Sequence, residues 1–165
     1  MSDLSSLEQL KEEIRTLRRS SKAGHQRPHK FVLLLSVIEL VDRGLLQENK
    51  IYPEEPLITI FENYFNLVRK KDDWCQLGPP FFHLRSSGFW FHKIKLGREK
   101  HYAALTTTGG GLQIIRDNID YAYLRDDFFE AILNPDSRRE LRYFIASLLN
   151  PDFDREKHYL KVFKA

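Results

Sequence analysis

The segment from position 29 to position 43 is the feature that most limits how this chain can fold. It contains a nearly continuous set of large apolar side chains: Phe31, Val32, Leu33, Leu34, Leu35, Val37, Ile38, Leu40 and Val41. A helix that is apolar on almost every side has to be covered by other elements of the fold. The sequence therefore predicts a central, buried helix that begins at Pro28 and stops at Gly44.

Other helices are predicted around this central one, because apolar residues recur at steps of three and four. They cover residues 3–20, 54–70, 111–118, 125–133 and 136–149. Residues 80–95 instead predict an aromatic β-hairpin, in which Arg85–Gly88 forms the turn between two apolar runs. Residues 96–111 are expected to form a long irregular loop. The fold class expected is a mostly helical α+β single domain over residues 1–165, with an aromatic β-hairpin.

Composition excludes several classes of protein and site. The 165 residues include one cysteine, Cys75, so an internal disulfide and a cysteine-based zinc site are both excluded. The longest apolar run, Phe31–Leu35, is far shorter than the roughly 18–20 residues that a membrane helix needs. The amino-terminal Ser, Asp and Glu residues are unlike a signal peptide. A cytoplasmic protein with no membrane association, no metal site and no cofactor is expected.

Positive charge is concentrated near the amino end. The formal net charge is +3, yet no acidic residue lies between Glu13 and Glu39. That window carries six basic residues: Arg15, Arg18, Arg19, Lys22, Arg27 and Lys30. Local positive charge of this kind favours a polyanionic partner. The structural alternative is that part of the window is simply the basic, solvated end of a helix.

Motifs for catalysis are weak, so no catalytic residue is assigned. The glycines at 109–111 could hold an anion or form a flexible loop, and they lack the Lys-Ser/Thr of a P-loop. Residues 151–157 contain a Pro-Asp and a Glu-Lys pair, but the spacing is too short for a nuclease core. Binding chemistry remains, in two segments that combine charge, hydrogen-bond donors and flat apolar groups. The candidate DNA-binding residues are Lys22, Arg27, His29, Lys30, Pro79, Pro80, His83, Arg85, Ser86 and Ser87.

Both segments resemble one known family. Residues 27–35, RPHKFVLLL, resemble the Pro-His-Lys-Pro-Leu-Leu-Leu-Leu signature of a DNA-reading domain found in McrA-type restriction endonucleases, where it is joined to an HNH nuclease module. Residues 80–90, PFFHLRSSGFW, resemble the family's Tyr-Pro-Phe-x-x-Leu-x-Ser-Asp-Gly-x-Trp block. Residues 121–138 resemble its carboxyl-terminal helical part. The similarity covers roughly residues 20–150, and the family includes the sulfur-binding domain that recognises phosphorothioate DNA.

The resemblance implies a non-catalytic module that binds double-stranded DNA in a restriction or defence system. It implies that His29 and Lys30 face the DNA backbone, and that Pro80 and His83 line the place where sulfur-binding members hold a phosphorothioate. Pro79 replaces the usual tyrosine and Phe31 replaces the second proline of the signature. His83 replaces a small residue, so the cup for sulfur would be smaller and more polar. A nuclease domain or subunit is the expected partner, since this chain ends where the nuclease module would begin.

Two other functions stay open from the residues themselves. The chain could be a small metal-dependent nuclease that uses the 97–111 loop and dispersed carboxylates. It could also be a protein-interaction domain in which the aromatic hairpin docks onto a partner.

Overall fold

The computed structural model describes residues 3–17, 21–22, 25–70, 73–106 and 111–149. The helices are α1 (Asp3–Arg15), α2 (His29–Asp42), α3 (Leu57–Val68), α4 (Gly78–His83), α5 (Glu99–Ala104), α6 (Leu112–Asn118), α7 (Asp126–Leu133) and α8 (Pro135–Leu149). A 3₁₀ turn, Leu84–Ser86, follows α4 directly. The strands are β1 (Ser21–Lys22), β2 (His25–Gln26), β3 (Trp90–Ile94) and β4 (Ile119–Leu124).

The predicted central helix is α2, and its burial is confirmed. Every residue from Phe31 to Ile38 is buried, and α3, α4, α7 and α8 all pack against α2. The polar Ser36 within this run donates a hydrogen bond of 2.7 Å to the Val32 carbonyl of the preceding turn. The buried hydroxyl group therefore has a hydrogen-bond partner, as buried polar groups generally do.

A polar network anchors the carboxyl end of α2 to α3 and α8. The Tyr64 hydroxyl donates to Glu39 at 2.6 Å, and Arg142 donates to the same carboxylate oxygen at 3.3 Å. Asp42 accepts a hydrogen bond from Arg138 at 2.5 Å and also pairs with Arg142. Because the network joins three helices, it fixes the position of this end of α2 as the apolar core fixes its middle.

The aromatic hairpin predicted over residues 80–95 is wrong in its first half. Residues 78–86 form α4 and the 3₁₀ turn, and only Trp90–Ile94 is extended. Pro79 and Pro80 lie in the first turn of α4, where the missing N–H groups cost nothing. In a strand, two successive prolines would remove ladder hydrogen bonds, so the helix is the better conformation for this segment.

The partner of β3 is distant in the chain. β3 pairs antiparallel with β4, with Phe91 opposite Tyr123 and an irregularity between Lys93 and Ile94. The stretch predicted as an irregular loop contains the short helix α5. The class itself is confirmed: the fold is mostly helical α+β, with a two-stranded antiparallel sheet rich in aromatic residues. Within the described residues, every helix is too short or too polar to span a bilayer.

His92 lies on the inner face of β3, against α4. Its Nδ1 is 2.8 Å from the Tyr102 hydroxyl and its Nε2 is 2.8 Å from the Phe81 carbonyl oxygen. A carbonyl oxygen can only accept, so Nε2 carries the proton and Nδ1 accepts from Tyr102. Burial lowers the pKa of His92 to about 4, so the imidazole is neutral at pH 7.

The depressed pKa of His92 predicts a loss of stability in acid. Between its usual pKa of 6.5 and about 4, the unfolded chain binds a proton that the folded chain does not. The free energy of unfolding should therefore fall as pH is lowered through that range, by about 2 kcal/mol from this residue at about pH 4.5. In urea denaturation at neutral and acid pH, His92→Gln should lose less stability than wild type. Its amide can keep both hydrogen bonds, and identical pH profiles would contradict the assignment.

Candidate nucleic-acid interface

The first turn of α2 contains two predicted DNA-contacting residues, His29 and Lys30. Pro28 precedes the helix and offers no side-chain oxygen to its first N–H groups, and the first turn contains no carboxylate. The positive end of the helix dipole therefore lies beside the charge of Lys30. Because the next eight residues are buried, packing of the core fixes the orientation of this turn.

Arg27 and His29 contact the segment that precedes α4. The Arg27 guanidinium lies 3.5 Å from the carboxylate of Asp73, which is fully buried. His29 Nε2 lies 2.6 Å from the Trp74 carbonyl oxygen, and its ring packs on Phe65 with centroids 4.6 Å apart. Burial lowers the pKa of His29, although the Trp74 carbonyl and Asp73 act in the opposite direction. A neutral His29 that donates to Trp74 is consistent with both observations.

Pro79, Pro80 and His83 all lie on α4. Pro79 is half-buried and Pro80 is buried, so the start of this helix belongs largely to the core. His83 ends α4, and its half-buried ring meets Phe82 edge to face, with centroids 5.0 Å apart. The prolines therefore set the direction of the helix, and the imidazole is the polar group that reaches its surface.

Arg85 is exposed, but its guanidinium is held in place. Its carbon Cζ lies 4.0 Å from the centroid of the Phe82 ring and 5.3 Å from that of Tyr102. One N–H group also donates to the Leu105 carbonyl at 3.1 Å. Stacking on two rings limits the side chain to a small range of positions while its charge stays in solvent.

Ser86 and Ser87 have local structural contacts. The Ser86 hydroxyl donates to the His83 carbonyl at 3.0 Å, and the Ser87 hydroxyl accepts from the Phe89 N–H at 3.1 Å. These bonds shape the connection from α4 to β3. The two serines thus lie at the end of a helical turn rather than at a hairpin tip, and their contact with DNA stays a prediction.

The two predicted segments are brought together where α4 packs on α2. Burial lowers the pKa of His83, and the nearby charges of Lys30 and Arg85 lower it further. Both cations are therefore close enough to act on one imidazole, although they come from α2 and from the turn after α4. We call the surface formed by Lys30, His83 and Arg85 the α2–α4 surface. At neutral pH its charge comes from Lys30 and Arg85, while His83 is a neutral hydrogen-bonding group.

Lys22 is a predicted DNA-binding residue whose contact with DNA stays a prediction. Its backbone lies in β1, where it pairs with His25 of β2. Of the glycine run at 109–111, only Gly111 is described, and the segment 151–157 lies outside the described residues. In the described part of the chain, no group of three or more His, Cys, Asp or Glu side chains is arranged to hold a metal ion.

The sequence did not predict the roles of three residues in this region. Asp73 brings a carboxylate to a basic window that is free of acids in sequence. Tyr102 orients Arg85 from the segment predicted to be an irregular loop. Trp74 is 68% exposed beside the start of α2, and a tryptophan inside a polar loop was the available signal for it.

A scan against protein-family models finds no match, and no curated protein matches the chain.

The contact between His29 and Trp74 should restrain the 73–77 segment. His29→Ala removes one hydrogen bond and one ring contact, so Cys75, which is half-buried next to Trp74, should become more accessible. Its modification by a thiol reagent should accelerate by about threefold to tenfold. His101→Ala, at an exposed position on α5, is the control and should leave the rate unchanged. A wild-type rate in His29→Ala would show that the contact does not restrain the segment.

Proposed function

We propose that this chain is a non-catalytic module that binds double-stranded DNA in a restriction or defence system. The proposal combines the sequence resemblance of residues 20–150 with the geometry of the α2–α4 surface. Its ligand would be a DNA duplex, either plain or modified, for example by a phosphorothioate. The cutting activity would belong to a nuclease domain or subunit that acts together with it.

One observation carries the proposal: α4 packs on α2, so that Lys30 and Arg85 both lie within electrostatic range of His83. The segment around α4 contains a single cation, Arg85, and Lys30 adds a second charge from α2. Together they offer two positive charges around one polar group, which suits a phosphate diester. Phosphate contacts of this kind supply most of the affinity of DNA-binding proteins and fix their position on the duplex.

Arg85 is well suited to hold a phosphate. Stacking on Phe82 and Tyr102 fixes its plane before a ligand arrives, so less side-chain entropy is lost on binding. The guanidinium has further N–H groups besides the one that donates to Leu105. Lys30 would act as a flexible point charge at the positive end of α2.

His83 is the residue that would sense a modified phosphate. Its neutral ring can donate or accept a hydrogen bond, and it lies on the same short helix as the buried Pro80. Sulfur is larger and less strongly hydrated than oxygen, so an apolar wall favours it and a polar imidazole disfavours it. A polar group at this position would reduce the preference for sulfur relative to a small residue.

Removal of the Lys30 charge should weaken binding to every duplex. In gel-shift or anisotropy titrations at two salt concentrations, Lys30→Ala should lower the affinity for plain and modified duplexes alike. The slope of log affinity against log salt should decrease by about one, because one phosphate contact is lost.

The matched control for Lys30→Ala is Arg139→Ala. Arg139 is an exposed cation on α8, next to Arg138, which binds Asp42 at the opposite end of α2. Both variants lose one positive charge, so a general charge effect would weaken them equally. The same affinity and salt slope in Lys30→Ala and Arg139→Ala would refute the proposed interface.

Removal of the His83 ring should change selectivity rather than overall affinity. His83→Ala makes the space beside the phosphate larger and less polar. The ratio of phosphorothioate to plain duplex binding should therefore move toward phosphorothioate. Lys30→Ala should leave that ratio unchanged. A ratio that His83→Ala does not alter would exclude His83 from the site that contacts the modified phosphate.

A further inference from the structure

The outer face of the β3–β4 sheet carries a row of four aromatic rings, three of which are exposed. Side chains of a strand alternate between its two faces, and Trp90 and His92 of β3 face α4. Phe91 therefore lies on the opposite face, with Tyr121 and Tyr123 of β4. We call Tyr52, Phe91, Tyr121 and Tyr123 the aromatic platform.

The four rings form a continuous row. Phe91 and Tyr123 stack with centroids 5.5 Å apart and an interplanar angle of 28°. Tyr123 meets Tyr121 at 6.2 Å, and Tyr121 meets Tyr52 at 5.7 Å. Phe91 and Tyr123 are each 37% exposed and Tyr52 is 45% exposed. Tyr121 is half-buried, so flat apolar surface is available to a ligand at the other three rings.

Tyr52 joins the row because Ile51 extends the sheet. The Ile51 N–H donates to the Ala122 carbonyl at 2.7 Å, and the Ala122 N–H donates to the Ile51 carbonyl at 2.8 Å. Ile51 and Ala122 are both buried on the inner face, so their neighbours Lys50 and Tyr52 lie on the outer face. The platform thus crosses three neighbouring stretches of backbone.

Positive charge lies beside the rings. The Lys50 ammonium is 5.5 Å from the centroid of Tyr121, and the exposed Lys93 is directly opposite Tyr121 in the register. Four exposed carboxylates are close in sequence: Glu48, which is 3.9 Å from Lys50, Glu54 and Glu55 after Tyr52, and Asp120 next to Tyr121. An exposed pair such as Glu48–Lys50 binds weakly, so a polyanion can displace it.

We infer that the aromatic platform is a second nucleic-acid surface, which binds single strands by stacking their bases on its rings. Aromatic residues on a sheet with neighbouring lysines are the combination that single-strand-binding proteins use, because every base has a flat face and every nucleotide a negative charge. Cross-strand aromatic pairs also stabilise a sheet, which explains why the rings touch. That role does not require lysines beside them or the exposure of Tyr52. Lys50 contacts a ring of the platform and Lys93 lies on the same face, and these two lysines favour a nucleic-acid strand over an apolar protein partner.

The platform is separate from the α2–α4 surface. Trp90 and His92 contact Phe81 of α4 on the inner face of β3, whereas the platform occupies the outer face. Binding of a duplex and binding of a single strand can therefore be measured independently. The inference does not depend on the proposed function.

Fluorescence anisotropy of the full chain with labelled oligonucleotides tests this inference. The probes are a single-stranded thymidine oligomer of about 12 nucleotides and an abasic oligomer of the same length, which has the phosphates but no bases. Wild type should bind the thymidine oligomer at least about tenfold more tightly than the abasic one. Equal binding of the two probes, or no binding of either, would overturn the inference.

Variants locate the binding on the platform. Tyr123→Leu keeps an apolar side chain on the sheet but removes the ring, and it should lose about tenfold in affinity for the thymidine oligomer. Lys93→Ala keeps every ring and removes charge alone, so it should lower the affinity for both probes. Arg139→Ala, which removes an exposed charge on α8, is the control and should bind the oligomer as wild type does. Wild-type affinity in Tyr123→Leu with an unchanged melting temperature would refute the platform as the binding surface.

A change in duplex binding has a different meaning. If Tyr123→Leu loses single-strand binding but keeps duplex affinity, the two surfaces are distinct as inferred. If it loses both equally, the platform is part of one common interface and the inference of a second surface is wrong. Failure of Lys30→Ala to affect duplexes contradicts the proposed function alone.

Discussion

Burial of α2 is the constraint on which the rest of the structure depends. Its residues from Phe31 to Ile38 are covered on all sides, so the helix can move neither along its axis nor around it without opening the core. The network of Glu39, Asp42 and Arg142 fixes its carboxyl end. The amino end, with His29 and Lys30, is thereby held at a defined place beside α4. A surface that recognises one phosphate needs this kind of rigid support.

Most helices could be predicted from the chain because each has its own apolar periodicity. Strand β3 lies within the predicted hairpin, but its partner β4 could not be predicted, because the two strands pair across α5 and α6. Residues 80–84 were predicted as a strand because aromatic and apolar residues are common in strands. The pair Pro79–Pro80 was the contrary signal, because prolines suit the first turn of a helix and disrupt a sheet.

The candidate site was partly predictable for a similar reason. Lys30, His83 and Arg85 were identified as residue types, but their convergence depends on how α4 packs on α2. The basic window lacks acids in sequence, yet folding brings the buried Asp73 to Arg27. Arg85 is held by Tyr102 and Leu105, which belong to a segment without a clear helix or strand pattern in its sequence. Contacts of this type are properties of the tertiary structure and leave little local trace.

The central claim is that the start of α2 and the end of α4 form one surface that binds duplex DNA. Titration of isotopically labelled full chain with a plain duplex, followed by amide chemical shifts, tests it most directly. The account predicts that the largest changes occur together at Lys30, His83 and Arg85, with small changes at the aromatic platform. Changes at only one of the two segments, or confined to other parts of the chain, would contradict it.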